Sequence, residues 1–322
     1  MGKSILEGNP AAPARQVDAP SSTRGRQHNL EALIACVRLM RPHQWTKNLA
    51  CFAGLFFGAK ALDVIAVLQS VIGFTAFCFA SSFVYVINDI TDHEKDRAHP
   101  IKKQRPLPSG KIGIHGALCT ASLCLFAALI ASSAANNSVM SLTAVYILLN
   151  IGYSLSLRNV VVLDVMLISF GFIMRILVGT ESIHVIASAW ILLCAFFLSL
   201  FLGFGKRRAE LSRWSDISTQ SRTLLSEYSV AMLDRFCNIF ATLSIASYAL
   251  FTVTSRPDRS LLITCPPVVF GLLRYLYLIE IRDAGESPDI VLLRDKPLQA
   301  AIIVWGGLSF LVLYMGLRLE LL

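Results

Sequence analysis

The sequence predicts an all-α, polytopic integral membrane protein with about nine transmembrane helices. Its 322 residues are 55% hydrophobic and only 16% charged, whereas about 25% of the residues of a soluble domain are charged. The apolar residues come in blocks of about 20, the length at which an α-helix crosses a bilayer. Lysine and arginine gather in alternate loops between these blocks, as the positive-inside rule predicts for a chain that crosses the membrane repeatedly.

The predicted spanning segments follow one another closely along the chain. No stretch between them is long enough to bury a core of its own, so a single transmembrane domain is predicted over residues 35–322. Lys60 and Asp63 interrupt the first segment. With bounds good to a few residues, the segments are 49–66, 68–87, 115–133, 139–157, 160–180, 184–204, 236–254, 260–280 and 299–318.

Residues 1–34 are predicted to form a disordered cytoplasmic tail. This region is rich in Pro, Ala, Ser and Arg and begins without the apolar core of a signal peptide. Most basic residues lie in the N-terminal region and in the loops after the second, sixth and eighth segments. The positive-inside rule therefore makes the N-terminus and these loops cytoplasmic, and chemistry is expected on that side.

Charge and cysteine content exclude other classes of protein. The formal net charge is +8, but no aromatic-and-basic module of an RNA or DNA reader is present, so no nucleic-acid partner is predicted. The eight cysteines form no C-x-x-C pair, and we interpret them as small buried hydrophobic residues.

An acidic motif, Asn88-Asp89-x-x-Asp92-x-x-x-Asp96, closes the second segment. Its spacings place the three carboxylates on one face of a helix, where they repel one another unless a cation lies between them. Carboxylate oxygens suit Mg²⁺, which commonly bridges to substrate phosphates. The motif therefore predicts a site for Mg²⁺ and a diphosphate. The alternative is a solvated helix end whose acids pair with neighbouring cations such as Lys95.

Two basic clusters are predicted on the same side of the membrane as the motif. Lys102, Lys103 and Arg105 follow it in a proline-rich loop, and Lys206 and Arg207 end the sixth segment. Each cluster also satisfies the orientation rule by itself. Both are placed to neutralise phosphate oxygens beside the metal.

Several other polar residues are candidates for the same site. Lys47 belongs to a dense polar cluster before the first segment, and Tyr153 precedes the turn between the fourth and fifth. Asp164, just inside the fifth segment, either pairs with Arg158 or adds a second carboxylate. Arg175 lies in the middle of that segment and requires a partner or a polar cavity. A structural ion pair and a catalytic role both remain open for Arg175.

The motif N-D-x-x-D-x-x-x-D after the second segment, the pattern Tyr-x-x-x-Leu-Arg before the fifth and the span count resemble the UbiA superfamily of membrane transferases. This resemblance implies nine helices around a central cavity, capped by cytoplasmic loops. Within the superfamily the chain is most similar to the decaprenyl-phosphate phosphoribosyltransferases. That closer resemblance rests on four short motifs in the right order: Arg41-Pro42-x-Gln44-Trp45-x-Lys47-Asn48, Asp96-Arg97-x-His99-Pro100, Gly205-Lys206-Arg207-x-x-Glu210-Leu211 and Leu292-Leu293-Arg294-Asp295-Lys296-x-Leu298-Gln299.

The resemblance implies Mg²⁺-dependent transfer of 5-phosphoribosyl from phosphoribosyl pyrophosphate to a polyprenyl (decaprenyl) phosphate. Pyrophosphate is released, and the product leads to a precursor of cell-wall arabinan at a bacterial inner membrane. A homo-oligomer and the prenyl chain length are left open. We expect catalytic roles for Asp89, Asp92, Lys47, Tyr153 and Arg175; metal binding by Asp89, Asp92 and Asp96; and phosphate binding by Asn88, Lys102, Lys103, Arg105, Arg158, Lys206 and Arg207.

One departure from the superfamily bears on the substrate. Members that transfer prenyl groups carry a second D-x-x-x-D motif at the start of the fifth span, but here Ile168 stands four residues after Asp164. This favours an isoprenoid acceptor over an isoprenoid donor. The alternatives are a UbiA-type prenyltransferase acting on an aromatic or other small acceptor, and a transporter whose pathway is lined by Asp164 and Arg175. No internal repeat supports the transporter.

Overall fold

The structure, a computed structural model, consists of helices joined by turns and short loops. The described residues are 21–100, 102–214, 225–282 and 288–318, and no strand occurs among them, which confirms the all-α prediction. Short 3₁₀ helices lie at Lys102–Gln104, Leu157–Asn159, Leu225–Glu227 and Ser260–Thr264, and a longer one at Pro42–Phe52. The α-helices are α1 (Ser21–Met40), α2 (Ala53–Phe57), α3 (Val64–Thr91), α4 (His93–Ala98), α5 (Ile114–Ala135), α6 (Asn137–Leu155), α7 (Leu163–Ser182), α8 (Ala189–Trp214), α9 (Val230–Thr254), α10 (Cys265–Arg282), α11 (Pro288–Arg294) and α12 (Lys296–Tyr314).

Eight helices of the described chain are long and apolar enough to cross a membrane. Each coincides, to within a few residues, with one of the second to ninth predicted segments, so the multi-pass architecture is confirmed. Successive helices alternate in direction, which brings the end of α3, the turn between α6 and α7, and the end of α8 to one end of the bundle. The helices that qualify are α3, α5, α6, α7, Ala189–Ser212 of α8, α9, Ser260–Ile281 including most of α10, and α12.

The first predicted segment, 49–66, is wrong in its bounds and in its type of helix. The chain crosses earlier, as the 3₁₀ helix Pro42–Phe52 followed by α2. At a rise of about 2.0 Å per 3₁₀ residue and 1.5 Å per α residue, this stretch measures about 30 Å, the thickness of the hydrocarbon core. Arg41, just before it, pairs with Asp89 near the end of α3. At its other end, Tyr314 donates hydrogen bonds to the carbonyls of α2. We infer that this stretch is a ninth crossing, in addition to the eight described helices that are long and apolar enough to span a membrane.

Small residues allow the first crossing to lie directly against α7. A Cβ atom on Gly179 would stand 1.7 Å from the Cys51 carbonyl oxygen, and one on Gly54 would stand 2.6 Å from the side chain of Thr180. Membrane helices use small residues in this way because lipid supplies no hydrophobic drive for their association. Long 3₁₀ runs are uncommon, and we infer that this packing stabilises the one seen here.

The two largest apolar clusters of the bundle lie on either side of α7. The first joins α1, α3, α5 and α6 around Phe77, and the second joins α8, α9 and α10 around Phe201 and Phe204. Helix α7 contributes Val178 to the first cluster and Val165 to the second. The two charged clusters described below lie where both apolar clusters end, on the side predicted to be cytoplasmic.

Helix α1 begins at Ser21 and therefore covers residues 21–34 of the predicted tail. Its C-terminal half packs on the bundle, since Ala35 and Leu39 are buried in the first cluster. Residues 1–20 of the predicted tail lie outside the described residues.

Candidate functional site

The acidic motif lies at the end of α3, where the helix is interrupted. Helix α3 ends at Thr91 and α4 begins at His93, so Asp92 stands at the junction. The spacing predicts that all three carboxylates share one helix face, but the three do not share one binding partner. Asp89 and Asp96 are buried, each 2% exposed, and both contact the same atom, Arg105 Nη1, at 3.2 and 2.6 Å.

Asp92 does not share the Arg105 nitrogen that Asp89 and Asp96 contact. It binds Arg158 instead. The guanidinium donates two hydrogen bonds of 2.8 Å, one to each carboxylate oxygen. Burial opposes ionisation of Asp92, but the bonds and the charge of Arg158 outweigh it and lower the pKa of Asp92. The same hydrogen bonds raise the pKa of Arg158. Asp92 is therefore ionised at neutral pH in this arrangement.

Each carboxylate of the motif is thus paired with cations from other segments. Arg41 precedes the first crossing and pairs with Asp89. Lys102 Nζ lies 3.6 Å from Asp96. The sequence left open a simpler pairing with adjacent residues such as Lys95, but among the described residues the ion-pair partners come from three separate segments of the chain.

The chemistry of the pair Asp89 and Asp96 fits a cation between them. Two carboxylates converge on one cationic nitrogen of Arg105, and an oxygen-only donor set suits Mg²⁺. Among the described residues no three acidic, histidine or cysteine side chains are grouped as a metal site, and Asp92 is paired with Arg158. The predicted third ligand, Asp92, would join the other two only after leaving Arg158.

Asn88 and Tyr153 connect the motif to the end of α6. Ser154, at that end, has a hydroxyl whose single proton is shared between the Asn88 side chain and, at 2.8 Å, a backbone carbonyl of its own helix. Tyr153 is close enough to Arg158 and Arg207 to act on both electrostatically. Tyr153 is therefore near one arginine of each charged cluster.

The second charged cluster surrounds Asp164 at the start of α7. Asp164 is fully buried and pairs with Arg207 at 2.8 Å, not with Arg158, which was the partner considered from the sequence. Arg207 also pairs with Glu210 at 2.8 Å. Tyr228 donates a hydrogen bond of 3.3 Å to Asp164. In this arrangement Arg207, which was predicted to bind phosphate, pairs with Asp164, which was predicted as a possible second acidic site.

A strained backbone accompanies this cluster. Val162 has a φ of 69°, a conformation that is rare for a β-branched residue. Its N–H donates a hydrogen bond of 2.7 Å to the Tyr228 hydroxyl, which in turn contacts Asp164. The Tyr228 hydroxyl thus binds both the strained turn and the buried carboxylate.

Three predicted phosphate-binding or catalytic lysines are exposed, and two of them, Lys103 and Lys206, lie at the edge of the site. Lys103 and Lys47 are exposed. The side chain of Lys206 is 51% exposed and its Nζ lies 3.9 Å from Glu210. Lys206 therefore lies at the surface beside the second cluster, whereas Lys47 precedes Asn48, which binds Arg175 deep in the bundle. Contact of the three lysines with substrate stays a prediction.

Arg175 lies deep in the bundle, away from the acidic motif. Its guanidinium donates to the Asn48 side chain at 2.8 Å and to the Gly171 carbonyl at 2.7 Å. The rings of Phe77, Tyr146 and Phe172 surround it. Among the described residues, no carboxylate forms a salt bridge with it, so the structural ion pair left open from the sequence is not the arrangement found.

Arg175 is distant from the acidic motif because it lies deep in the bundle. Phe77, which it contacts, lies twelve residues before Asp89 on α3, or about 18 Å at 1.5 Å per residue. A direct catalytic role for Arg175 would require substrate to reach this depth.

Two residues at the site were missed from the sequence. Arg41 pairs with Asp89. Its position beside the polar cluster before the first crossing could have indicated that it belongs to the site. Tyr228 lies 64 residues from Asp164 along the chain. No local motif marks Tyr228, so only the fold could reveal it.

The fold is a multi-pass helical bundle, and paired acidic and basic clusters lie at one of its ends. These two features define the class as a membrane protein whose charged clusters are gathered at one end. The chain belongs to the UbiA prenyltransferase family, whose model matches residues 48–293. It is therefore a membrane transferase of that family.

Two relatives give a finer comparison. The chain is 31% identical over 311 residues to the decaprenyl-phosphate phosphoribosyltransferase of Mycolicibacterium smegmatis, covering 91% of this chain and 96% of the relative. It is also 31% identical over 288 residues to the enzyme of the same name from Corynebacterium glutamicum, covering 87% of this chain and 86% of the relative.

A solved structure shares the fold. A UbiA homolog from Archaeoglobus fulgidus, bound to GPP and Mg²⁺, superposes with a TM-score of 0.65 at 19% identity, covering 87% of this chain and 99% of that one. The predicted UbiA-like fold is thereby confirmed.

Proposed function

We propose that this protein transfers 5-phosphoribosyl from phosphoribosyl pyrophosphate to a polyprenyl phosphate and releases pyrophosphate. The observation that carries the proposal is the asymmetry of the two charged clusters. A single acidic pair, Asp89 and Asp96, is surrounded by Arg41, Lys102 and Arg105. The second acidic position is Asp164, which is buried against Arg207. A donor that carries both a diphosphate and a further phosphate suits one metal site with many cations around it.

The acidic residues supply the metal site in this proposal. Asp89 and Asp96 would hold Mg²⁺, with Asp92 as the third ligand and Asn88 beside them. Bound there, the metal would neutralise negative charge on the diphosphate leaving group. The guanidinium groups that now pair with these carboxylates would then be available to phosphate oxygens.

The basic residues position the donor and the acceptor. Arg105 and Arg158, with the lysines at the edge of the site, bind the phosphates of the donor. An oxygen of the acceptor phosphate attacks the anomeric carbon while the bond from that carbon to pyrophosphate breaks. The acceptor phosphate is already ionised at neutral pH, so positioning and charge stabilisation supply most of the rate. Lys47 and Tyr153 are proposed to orient the acceptor.

The location of the site agrees with this chemistry. Both substrates carry phosphates, and the charged clusters lie at the end of the bundle predicted to face the cytoplasm. The bundle itself offers lipid-facing apolar surface to the polyprenyl chain. We propose that the protein works in a bacterial inner membrane, with its N-terminus cytoplasmic, toward a precursor of cell-wall arabinan.

Substitutions of the acidic motif test the proposal. Membranes containing Asp89→Asn or Asp92→Asn are supplied with radiolabelled phosphoribosyl pyrophosphate, Mg²⁺ and decaprenyl phosphate, and labelled lipid is measured. We expect both variants to lose product, whereas the matched control Glu94→Gln, which alters an exposed acid of α4, keeps it. Full product formation by the Asn variants would contradict the metal assignment.

A prenyltransferase activity is the second candidate, because the structural neighbour was solved with GPP and Mg²⁺. The same membranes are supplied with a prenyl diphosphate and small acceptors in place of phosphoribosyl pyrophosphate. Pyrophosphate release with the prenyl donor, and none with phosphoribosyl pyrophosphate, would establish this alternative and reject the first.

A further inference from the structure

A cleft lies between the C-terminal half of α1 and the segment 106–111, next to the acidic motif. Its volume is about 510 Å³, within the range of about 300–1,000 Å³ typical of ligand sites. Apolar and small residues form most of its wall, and three charged residues complete it. The lining consists of Glu31, Ala32, Ile34, Ala35, Arg38, Pro106, Gly110 and Lys111.

Both walls of the cleft are firmly held. On the α1 side, Ala35 is buried in the first apolar cluster. On the loop side, Leu107 and Ile112 are 2% and 8% exposed. The loop is closed by a backbone hydrogen bond of 3.3 Å from the Ile112 N–H to the Pro106 carbonyl. The cleft is therefore a preformed feature of the fold.

The charge of the cleft favours an anion. Arg38 and Lys111 are exposed, and among the described residues neither forms a salt bridge. Glu31 is the one carboxylate of the lining, so the two cations outnumber it. A phosphate group placed between Arg38 and Lys111 would receive charge-assisted hydrogen bonds.

The surroundings of the cleft favour a lipid over a free anion. Leu33, Ile34 and Val37 of α1 are 61%, 43% and 46% exposed, and Ile114 and Leu118 at the start of α5 are 49% and 45% exposed. These apolar side chains lie on the two helices beside the basic residues. An amphiphile with an anionic head and a hydrocarbon tail satisfies both surfaces at once.

The cleft also shares a segment with the candidate active site. Pro106 lines the cleft, and the preceding residue, Arg105, contacts Asp89 and Asp96. A head group bound in the cleft would thus lie next to the segment whose Arg105 holds the acidic pair. This neighbouring position suits the delivery of a lipid substrate to the acidic motif.

We propose that the cleft binds the phosphate-bearing end of a polyprenyl phosphate, with Arg38 and Lys111 holding the phosphate and the apolar strip of α1 and α5 contacting the first isoprene units. This assignment rests on the proposed function for the identity of the lipid. It assigns acceptor recognition to residues outside the acidic motif and its arginines.

Binding without turnover tests the site. The full chain in phosphatidylcholine nanodiscs is titrated with decaprenyl phosphate, and affinity is measured by native mass spectrometry. We expect Arg38→Gln with Lys111→Gln to weaken binding by about tenfold or more, as the loss of two charge-assisted contacts predicts. The matched control, Arg235→Gln with Arg294→Gln, removes two exposed cations at the same end of the bundle and should bind normally.

Two further ligands and one further variant test whether the phosphate, the hydrocarbon tail and the cleft each contribute to binding. Decaprenol, which lacks the phosphate, should bind more weakly than decaprenyl phosphate, and inorganic phosphate should not compete. Ala32→Trp, which fills the cleft and leaves both cations in place, should weaken binding as the double variant does. Unchanged binding by both cleft variants, equal binding of decaprenol, or competition by inorganic phosphate would overturn the proposal.

The outcome is distinguishable from failure of the proposed function. If the wild-type protein forms no product from phosphoribosyl pyrophosphate but its binding of decaprenyl phosphate depends on Arg38 and Lys111, the site stands and the reaction is wrong. If product forms and the cleft variants keep the wild-type KM for the lipid, the reaction stands and the site is wrong.

Discussion

The two charged clusters at the end of the bundle differ in how they hold their carboxylates. Around Asp89 and Asp96, the side chains of Arg41 and Arg105 are 22% and 32% exposed. Around Asp164, the side chain of Arg207 is 9% exposed and that of Asp164 is 0% exposed. The first cluster can therefore exchange a guanidinium for a ligand, whereas the second is enclosed by α7, α8 and Tyr228.

The comparison shows that a buried carboxylate is not by itself a metal ligand. Removing one member of an enclosed ion pair leaves an uncompensated buried charge. An arginine that reaches a carboxylate from a loop can move away when a metal and phosphates arrive. On this basis we assign the chemistry to the first cluster and the joining of α7 to α8 to the second.

The largest effect is expected from Arg207→Gln. Asp164 would keep a buried charge without its partner, at a cost of about 3–5 kcal/mol in the free energy of unfolding. Thermal unfolding of the purified protein in detergent measures this loss. Arg235→Gln, which removes an exposed arginine of α9, serves as the control. A stable Arg207→Gln protein that has lost only phosphoribosyl pyrophosphate binding would reverse the assignment and make Arg207 a phosphate ligand.

Arg105→Gln is expected to separate activity from stability. Arg105 is partly exposed, so its loss should shift the unfolding temperature only slightly. The removal of one group that stabilises developing phosphate charge should lower kcat by about 100-fold. Product formation and thermal unfolding are compared in the same preparation. Unfolding as severe as that of Arg207→Gln would show that the two clusters do not differ.

The smallest effect concerns the pair of Asp92 and Arg158. The pKa of Asp92 is lowered in the folded protein, so this pair stabilises the fold above the ordinary aspartate pKa. The contribution is lost as pH falls through the lowered pKa. Because each side chain is 24% exposed, solvent screening limits it to about 1 kcal/mol or less.

Unfolding temperatures of wild type and Asp92→Asn, measured from neutral to acidic pH, test this. Their difference should be present near neutrality and shrink as the solution becomes more acidic. A difference that grows toward acid would show that Asp92 is not stabilised in its ionised form.

Most of the membrane architecture could be predicted from the sequence. Segments two to nine were found because each is a continuous apolar block, and continuity is a local property. The first crossing was misplaced because it starts at Pro42 and runs through the polar residues Gln44, Lys47 and Asn48. Its burial depends on Gly179 of a distant helix, which no local pattern reveals.

The candidate site was predictable as a set of residues but not as a set of pairs. The acidic motif and its basic neighbours stand out because ionisable groups are costly near a membrane. The partner of Asp164 was not determined by sequence distance, since Arg158 is nearer along the chain but Arg207 is nearer in space. No local sequence motif indicated that Tyr228 belongs to the site.

The sequence by itself determined that this protein is a multi-pass helical membrane protein, and it predicted that the end rich in acids and bases faces the cytoplasm. These properties follow from composition, block length and charge position, which act locally. Only the tertiary structure decided that Asp89 and Asp96 converge on one cation while Asp92 and Asp164 bind separate arginines. Those pairings depend on how α3, α7 and α8 end beside one another, and ion pairing acts over a few ångströms in space regardless of distance along the chain.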